Sequence, residues 1–153
     1  MSQSKVRSLV PRDMYVLEAK IFREFFKEFG YKAIPVIERI VQGLGTAEAQ
    51  EFKAKRNLST MDVKDAAIYL GEYFKNEGGE SVEVEVMPGE VHWKISDCAC
   101  DLKAGDDKTC PAIMKGDEAM LNVLCNGKAK LTVNRAIGFG DKSCDVVITK
   151  ATR

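Results

Sequence analysis

The apolar residues of this chain change their spacing at Ser81, and the change divides the chain into two halves. Before Ser81, apolar side chains recur every three or four residues, as at Leu17, Ile21 and Phe25, which predicts amphipathic helices. After Ser81 they alternate with charged residues, as in the stretch 82–86, which reads VEVEV and predicts a strand. The sequence therefore predicts a helical half over about 11–79 and a sheet half over about 80–153.

The helical half is predicted to contain four helices, at about 14–29, 34–45, 46–56 and 59–76. Pro35 is tolerated in the first turn of the second helix, and the glycines at 43 and 45 are predicted to end it. Ser59 followed by Asp62 resembles a capping box, so we expect the fourth helix to begin there.

The sheet half is predicted to contain a hairpin, a helix and two further strands. Alternating segments at 82–86 and 91–95 flank Pro88 and Gly89, which suit a tight turn. A helix at about 111–125 follows, and strands at about 128–137 and 143–150 are joined by a turn at 138–141. This order predicts an α+β fold with an antiparallel sheet, in a single domain spanning 1–153.

The balance of charge limits the partners that we expect. Lys+Arg and Asp+Glu both number 23, so no general basic field is available to attract nucleic acid. Charged residues interrupt every apolar segment before the roughly 20 residues that a membrane span needs, and the N-terminus lacks the apolar core of a signal peptide. We therefore expect a cytoplasmic protein that binds no nucleic acid and does not span a membrane.

Five cysteines without a regular framework spacing argue against a disulfide-stapled domain. If the predicted helix at 111–125 runs back across the sheet, Cys98, Cys100, Cys110 and Cys144 meet at one edge of the fold. Cys125 then lies roughly 22 Å away along the helix. Four thiolates suit zinc, and less well iron or an iron–sulfur centre, so these four are candidate metal ligands. Packing of Cys144 and other thiols as small buried hydrophobes is the alternative.

Cys110 has a second candidate role. It immediately precedes Pro111, so we expect its sulfur at a helix N-cap, where backbone N–H groups and the helix dipole lower the pKa of a thiol. Cys110 is thus a candidate catalytic nucleophile, and an inert capping cysteine is the alternative.

A helical layer over a four-stranded sheet also predicts a ligand cavity between the layers, with Phe22, Phe26 and Trp93 as candidate binding residues. The apolar stripe of the first helix is wider than one sheet face covers, which predicts homodimerisation. His92 is the only histidine, and six residues of extended strand separate it from Cys98, so it is not expected to join the thiols.

The segment 138–148, GFGDKSCDVVI, resembles the closing Gly-Asp-x-x-Cys-aromatic-x-apolar motif of 4-vinyl reductase domains and of the L-2-amino-thiazoline-4-carboxylic acid hydrolase-like family. Gly140, Asp141 and Cys144 match the motif, whereas Asp145 stands at the aromatic position. The segment 65–70, the hairpin ending at Cys98 and the Cys110–Pro111 helix start agree as well, so the resemblance covers roughly 30–150.

The resemblance implies a fold shared with haem-based nitric-oxide sensors and TRAPP subunits, a bound small molecule, and cysteines that hold a metal. The first hypothesis is therefore a domain that binds a small apolar or planar ligand, with the cysteine cluster at one edge. The second is a hydrolase of a cyclic amidine or thiazoline-type substrate that uses Cys110 or a metal-activated water. The third is a dimerising interaction module.

Overall fold

The structure, a computed structural model, describes residues 12–152, with side chains from 14 onward. It has four α-helices, four strands and two short 3-10 turns. In chain order these are α1 (Arg12–Phe29), a turn (Gly30–Ala33), α2 (Ile34–Lys55), α3 (Val63–Asn76), β1 (Val82–Met87), β2 (Glu90–Ile95), α4 (Thr109–Cys125), β3 (Ala129–Arg135), a turn (Ile137–Phe139) and β4 (Cys144–Lys150). The predicted α+β fold is confirmed.

The four strands form one antiparallel sheet in the order β1-β2-β4-β3. The two central strands are paired so that Trp93 lies opposite Val146 and Ile95 lies opposite Cys144. This register places the start of β4 beside the end of β2. The loop carrying Cys98 and Cys100 therefore begins next to Cys144, as the order of elements predicted.

The inner face of the sheet packs against α3 and α4 to form the main core. Trp93 is almost completely buried and donates a hydrogen bond from its indole nitrogen to the carbonyl oxygen of Ala67, at 2.9 Å. Its ring meets the edge of Phe74 at a centroid distance of 5.7 Å. Gly71 of α3 lies so close that a Cβ there would be 2.9 Å from the indole nitrogen. Trp93 thus joins α3 to the sheet.

The predicted break between the second and third helices is wrong, because α2 runs without interruption from Ile34 to Lys55. Gly45 is not a helix terminator but a contact point. A Cβ on Gly45 would lie 2.3 Å from the carbonyl oxygen of Gly116 on α4. A glycine lowers helix stability by roughly 1 kcal/mol relative to alanine, and close packing of α2 on α4 offsets this cost.

The start of α3 is also shifted from its predicted position. Asp62, rather than Ser59, is the N-cap residue, and its carboxylate accepts a hydrogen bond of 2.9 Å from the backbone N–H of Asp65. An aspartate satisfies an otherwise unpaired helix donor in the same way as a serine. The helix therefore begins at Val63, and its N-cap lies three residues later than the predicted Ser59.

The outer face of the sheet carries a buried polar network centred on His92. The Nδ1 atom of His92 lies 2.8 Å from Asp145, and its Nε2 atom lies 2.8 Å from Glu90. Lys94 forms a second ion pair with Asp145, at 3.0 Å. Only an imidazolium can donate from both ring nitrogens, so this arrangement favours the charged histidine.

We expect this network to make stability fall as the pH rises above the ordinary histidine pKa of about 6.5. Hydrogen bonds to Glu90 and then to Asp145 raise the pKa of His92 above its ordinary value. The stabilisation is therefore complete below the unfolded-state pKa of about 6.5 and is lost as pH rises through the folded-state pKa. Thermal melting from pH 5 to 9 should show a loss of about 1–2 kcal/mol that is absent in His92→Gln. If the melting temperatures of the wild type and of His92→Gln change with pH in the same way, this prediction is wrong.

Candidate functional site

The fold brings four of the five cysteines into one apolar cluster. Cys98 and Cys100 lie in the loop after β2, Cys110 lies in the first turn of α4, and Cys144 begins β4. These four pack with Ala19, Leu102 and Ala136, among others. Cys125 lies at the far end of α4 and belongs to the main core. This is the separation that the strand order predicted.

Backbone N–H groups point at two of the four sulfurs. Leu102 donates to the sulfur of Cys98 at 3.4 Å, and Ile137 donates to the sulfur of Cys144 at 3.4 Å. The thiol of Cys100 also donates to Cys98, and this bond, followed by the bond from Leu102, lowers the pKa of Cys98 below its ordinary value. The same thiol–thiol bond, together with burial, raises the pKa of Cys100. The pair therefore favours one thiolate, on Cys98.

The predicted N-cap position of Cys110 is wrong, and its role as a nucleophile stays a prediction. Cys110 is the second residue of α4, and the N-cap position belongs to Lys108. The sulfur is buried, and this burial, followed by the nearby thiols of Cys144 and Cys98, raises the pKa of Cys110 to about 12. A helix N-terminus does not compensate for removing the thiolate from water.

We predict that alkylation will follow the order of these thiol pKa values. Iodoacetamide at pH 7 should modify Cys98 at least tenfold faster than Cys110 or Cys125, because the thiolate is the reacting form and Cys98 is only half-buried. Mass spectrometry of tryptic peptides measures each rate, and Cys98→Ser is the control that should remove the fast phase. If iodoacetamide modifies Cys110 faster than Cys98, this prediction is wrong and Cys110 is the more reactive thiol.

The arrangement of side chains does not by itself form a metal site. Among residues 12–152, no three cysteine, histidine or carboxylate side chains are placed to hold one ion. Zinc binding by Cys98, Cys100, Cys110 and Cys144 therefore stays a prediction that needs the thiols to rearrange. Metal analysis of the purified protein tests it directly.

The loop that carries the cysteines is fixed by an ion pair that the sequence did not reveal. Arg23 of α1 makes two parallel hydrogen bonds of 2.9 Å to the carboxylate of Asp106. Asp106 is buried and also accepts the backbone N–H of Lys103, at 2.8 Å. A bidentate pair of this kind holds both partners in one geometry. It fixes the end of the loop against α1, directly before α4.

The predicted ligand-binding residues do not lie together around one cavity; they belong to two different hydrophobic clusters. Trp93 belongs to the main core, whereas Phe22 packs in a second cluster with Ala33, Ile37 and Val41. The ring of Phe26 borders that second cluster and meets Tyr31 at 5.9 Å. A contact between a ligand and any of Phe22, Phe26 or Trp93 stays a prediction.

An acidic side chain occupies the buried face of α4. Asp117 lies one helical turn from Ile113 and from Leu121, between the cysteine cluster and the main core. The side chain of Asp117 is half-buried. The sequence signal was available, because an aspartate at a core position of an amphipathic helix breaks the apolar pattern.

Further acidic and phenolic groups from other elements surround Asp117. Burial, followed by the negative charges of Glu80 and Glu48, raises the pKa of Asp117 well above its ordinary value. Glu48 of α2 accepts a hydrogen bond of 3.2 Å from the hydroxyl of Tyr73. Burial, followed by the same two glutamates and Asp117, raises the pKa of Tyr15 on α1. The side chains near one another are therefore three carboxylates and two phenols, from Glu48, Glu80, Asp117, Tyr15 and Tyr73.

Comparison with solved structures shows the fold and no more. The chain is similar to a trafficking protein particle complex subunit 3 from Naegleria fowleri, solved covalently bound to palmitic acid, with a TM-score of 0.61, 9% identity, and coverage of 92% of this chain and 95% of that one. It is also similar to the phenol-responsive sensory domain of the transcription activator PoxR, solved with phenol, with a TM-score of 0.57, 14% identity, and coverage of 89% and 74%. Both are compatible with the fold that the 4-vinyl reductase resemblance implies.

The sequence comparisons add no family to this result. No protein-family model matches the chain, and no curated protein matches it. Within residues 12–152, no helix combines the length and the apolar character that crossing a membrane requires.

Proposed function

We propose that this domain binds a small organic molecule against the face of α4 that carries Cys110 and Asp117. The observation that carries the proposal is the half-buried carboxylate of Asp117 on the helix face that also carries the buried side chains of Cys110 and Leu121. Protein interiors are close-packed, and a polar side chain inside them is normally hydrogen-bonded. A half-buried carboxylate that interrupts an apolar helix face leaves part of its surface open to a ligand.

The fold comparisons support this proposal. Two structures of the same fold hold small molecules, palmitic acid in one and phenol in the other. These ligands differ in size and chemistry, so the fold accommodates more than one kind of molecule. We therefore propose that this chain binds a small molecule, and we do not propose that the molecule is palmitic acid or phenol.

Nuclear magnetic resonance tests the proposal. Phenol and octanoate, titrated separately to millimolar concentration, should shift the backbone amide signals of residues 113–119 and 98–100 for at least one of the two probes. The signals of residues at the exposed hairpin turn, such as Gly89, serve as the internal control and should stay in place. Shifts that are absent, or confined to the outer surface, would overturn the proposal.

A second candidate function, dimerisation through the N-terminal helices, has an observation of its own. Met14, Leu17 and Ile21 lie on one face of α1 and are 50%, 49% and 58% exposed. Ile40 and Leu44 lie one turn apart on α2 and are 43% and 56% exposed. Large apolar side chains that recur at helical spacing on a surface favour an interface with a second copy.

Sedimentation at micromolar concentration tests the dimer. The protein should sediment as a dimer, and Ile21→Glu should convert it to a monomer, because burying an unpaired carboxylate is costly. Lys20→Glu, which changes an exposed neighbour on the same helix, is the matched control and should leave the dimer intact. A wild-type monomer removes this candidate.

The hydrolase hypothesis needs a thiolate, and the structure offers one at Cys98 rather than at Cys110. Under that hypothesis Cys98 is the residue whose replacement by serine should abolish turnover. We place ligand binding first because two solved structures of similar fold hold small molecules.

A further inference from the structure

We propose that Cys98 and Cys100 form a thiol–disulfide site, in which Cys98 attacks a small organic disulfide such as oxidised glutathione and Cys100 completes an internal disulfide. This inference goes beyond ligand binding and does not depend on it. It follows from the geometry of the loop between β2 and α4 and from three features of the two sulfurs.

The first feature is the tight turn that contains both cysteines. The backbone N–H of Asp101 donates to the carbonyl oxygen of Cys98 at 3.1 Å, which closes a turn over 98–101. Such a turn draws its residues together, and a disulfide needs Cα atoms roughly 4.4–6.8 Å apart. The thiol of Cys100 also donates a hydrogen bond to the sulfur of Cys98. A bond between the two sulfurs therefore requires movement only within this turn.

The second feature is the backbone donor at the sulfur of Cys98. The N–H of Leu102 donates to this sulfur at 3.4 Å. A thiolate is the form of cysteine that attacks a disulfide, and an N–H donor stabilises negative charge on the sulfur. This donor favours Cys98 as the residue that attacks first. Cys100, its hydrogen-bond partner, is then in position to attack second.

The third feature is access from solvent, which separates the pair from the other thiols. Cys98 and Cys100 are both half-buried, whereas Cys110 and Cys125 are buried. Cys144 is also half-buried, but it lies in a strand that is paired on both sides. A bond from Cys98 to Cys110 or Cys144 would pull on α4 or on this strand. Closure within the turn is therefore the least disruptive pairing.

The part of the loop that follows the turn is held against α1. Arg23 makes two hydrogen bonds of 2.9 Å to Asp106, and Asp106 also accepts the backbone N–H of Lys103 at 2.8 Å. These bonds fix the backbone between the turn and the start of α4. Oxidation of the pair is therefore expected to leave α4 in place.

The reaction consists of two thiol–disulfide exchanges. The thiolate of Cys98 attacks one sulfur of oxidised glutathione, forms a mixed disulfide and releases one glutathione thiolate. The sulfur of Cys100 then loses its proton and attacks the sulfur of Cys98, which releases the second glutathione thiolate. The two cysteines lose two electrons and two protons, and oxidised glutathione gains both and becomes two thiols.

Peptide mapping tests the pairing. Trypsin places Cys98 and Cys100 together in the peptide 95–103, and places the other three cysteines in three separate peptides. The protein is treated with millimolar oxidised glutathione and EDTA, and free thiols are then blocked with N-ethylmaleimide in denaturant. The peptide 95–103 should be lighter by two hydrogens and carry no blocking group. Disulfides that join two different peptides, glutathione that stays on the wild-type peptide, or no reaction at all would overturn the inference.

The synthetic peptide 95–103 measures what the fold contributes. Because the folded turn holds the two sulfurs close together, the protein should form this disulfide at least tenfold faster than the peptide does. Equal rates would show that the folded chain has no thiol–disulfide site, and would overturn the inference.

Three serine variants test the order of attack. Cys100→Ser should accumulate one glutathione on Cys98, because the second attack is lost, and Cys98→Ser should react at least tenfold more slowly than the wild type. Cys144→Ser, which changes a half-buried thiol of the same cluster, is the matched control and should oxidise like the wild type. Attachment of glutathione to Cys100 in Cys98→Ser at the wild-type rate would overturn the inference. If a variant does not fold, the wild-type peptide map still decides the pairing.

Discussion

Replacing Gly45 with alanine should destabilise the protein by about 3 kcal/mol, although alanine is the better helix former by about 1 kcal/mol. The added Cβ would lie 2.3 Å from the carbonyl oxygen of Gly116, and 3.0 Å from its carbonyl carbon. Both atoms belong to the backbone of α4, so no side chain can rotate to make room. The two helices would have to separate along their contact.

Gly43→Ala is the matched control, two residues earlier in the same helix. A Cβ on Gly43 meets nothing within 4 Å, so this variant should be neutral or gain up to about 1 kcal/mol. Thermal melting compares the two, and for a chain of this size the Gly45 variant should melt about 6–12 °C below the wild type. Equal melting temperatures for the two variants would show that α2 and α4 are not in backbone contact.

Replacing Trp93 with alanine should cost about 3–5 kcal/mol, a large share of the stability of an ordinary domain. The ring is 1% exposed and fills the contact between α3 and the sheet. Its removal leaves a cavity, and it also leaves the carbonyl oxygen of Ala67 without its donor. Denaturation by urea, followed by circular dichroism, measures the loss.

Two further variants separate the contributions of Trp93. Trp93→Phe keeps an aromatic ring but removes the hydrogen bond, so we expect a smaller loss of about 1–3 kcal/mol. Tyr31→Ala removes an aromatic ring that is 72% exposed and should change stability by no more than about 0.5 kcal/mol. If Trp93→Ala is as stable as the wild type, Trp93 is free to serve a ligand instead of the core.

The comparison of Trp93 with Asp117 explains why the sequence alone does not decide which residues bind a ligand. An aromatic residue on the inner face of a strand is equally consistent with a core and with a ligand cavity, because both require an apolar side chain. Asp117 does not have this ambiguity, since a carboxylate on a core face needs a partner or a ligand. The exception to the apolar pattern is therefore more informative about a site than the pattern itself.

The cysteines show how far topology alone can be followed. The order strand, helix, strand, strand placed four sulfurs together and Cys125 apart, because an antiparallel connection returns the chain to the edge that it left. The acidity of each thiol did not follow from that order. It depends on which sulfurs are buried and which receive N–H groups, and those donors come from Leu102 and Ile137 in loops without periodicity.

By itself the sequence determined the backbone architecture, because helix and strand periods are local and each is repeated over many residues. The change of period at Ser81, the Pro88–Gly89 turn and the positions of the strands all appear in the structure as predicted. Only the tertiary structure decided the role of Gly45 as a helix contact, the pairing of Arg23 with Asp106, and the convergence of Glu48, Glu80 and Asp117. Each of these depends on residues distant in the chain, whose distances and burial are fixed only when the helices pack on the sheet.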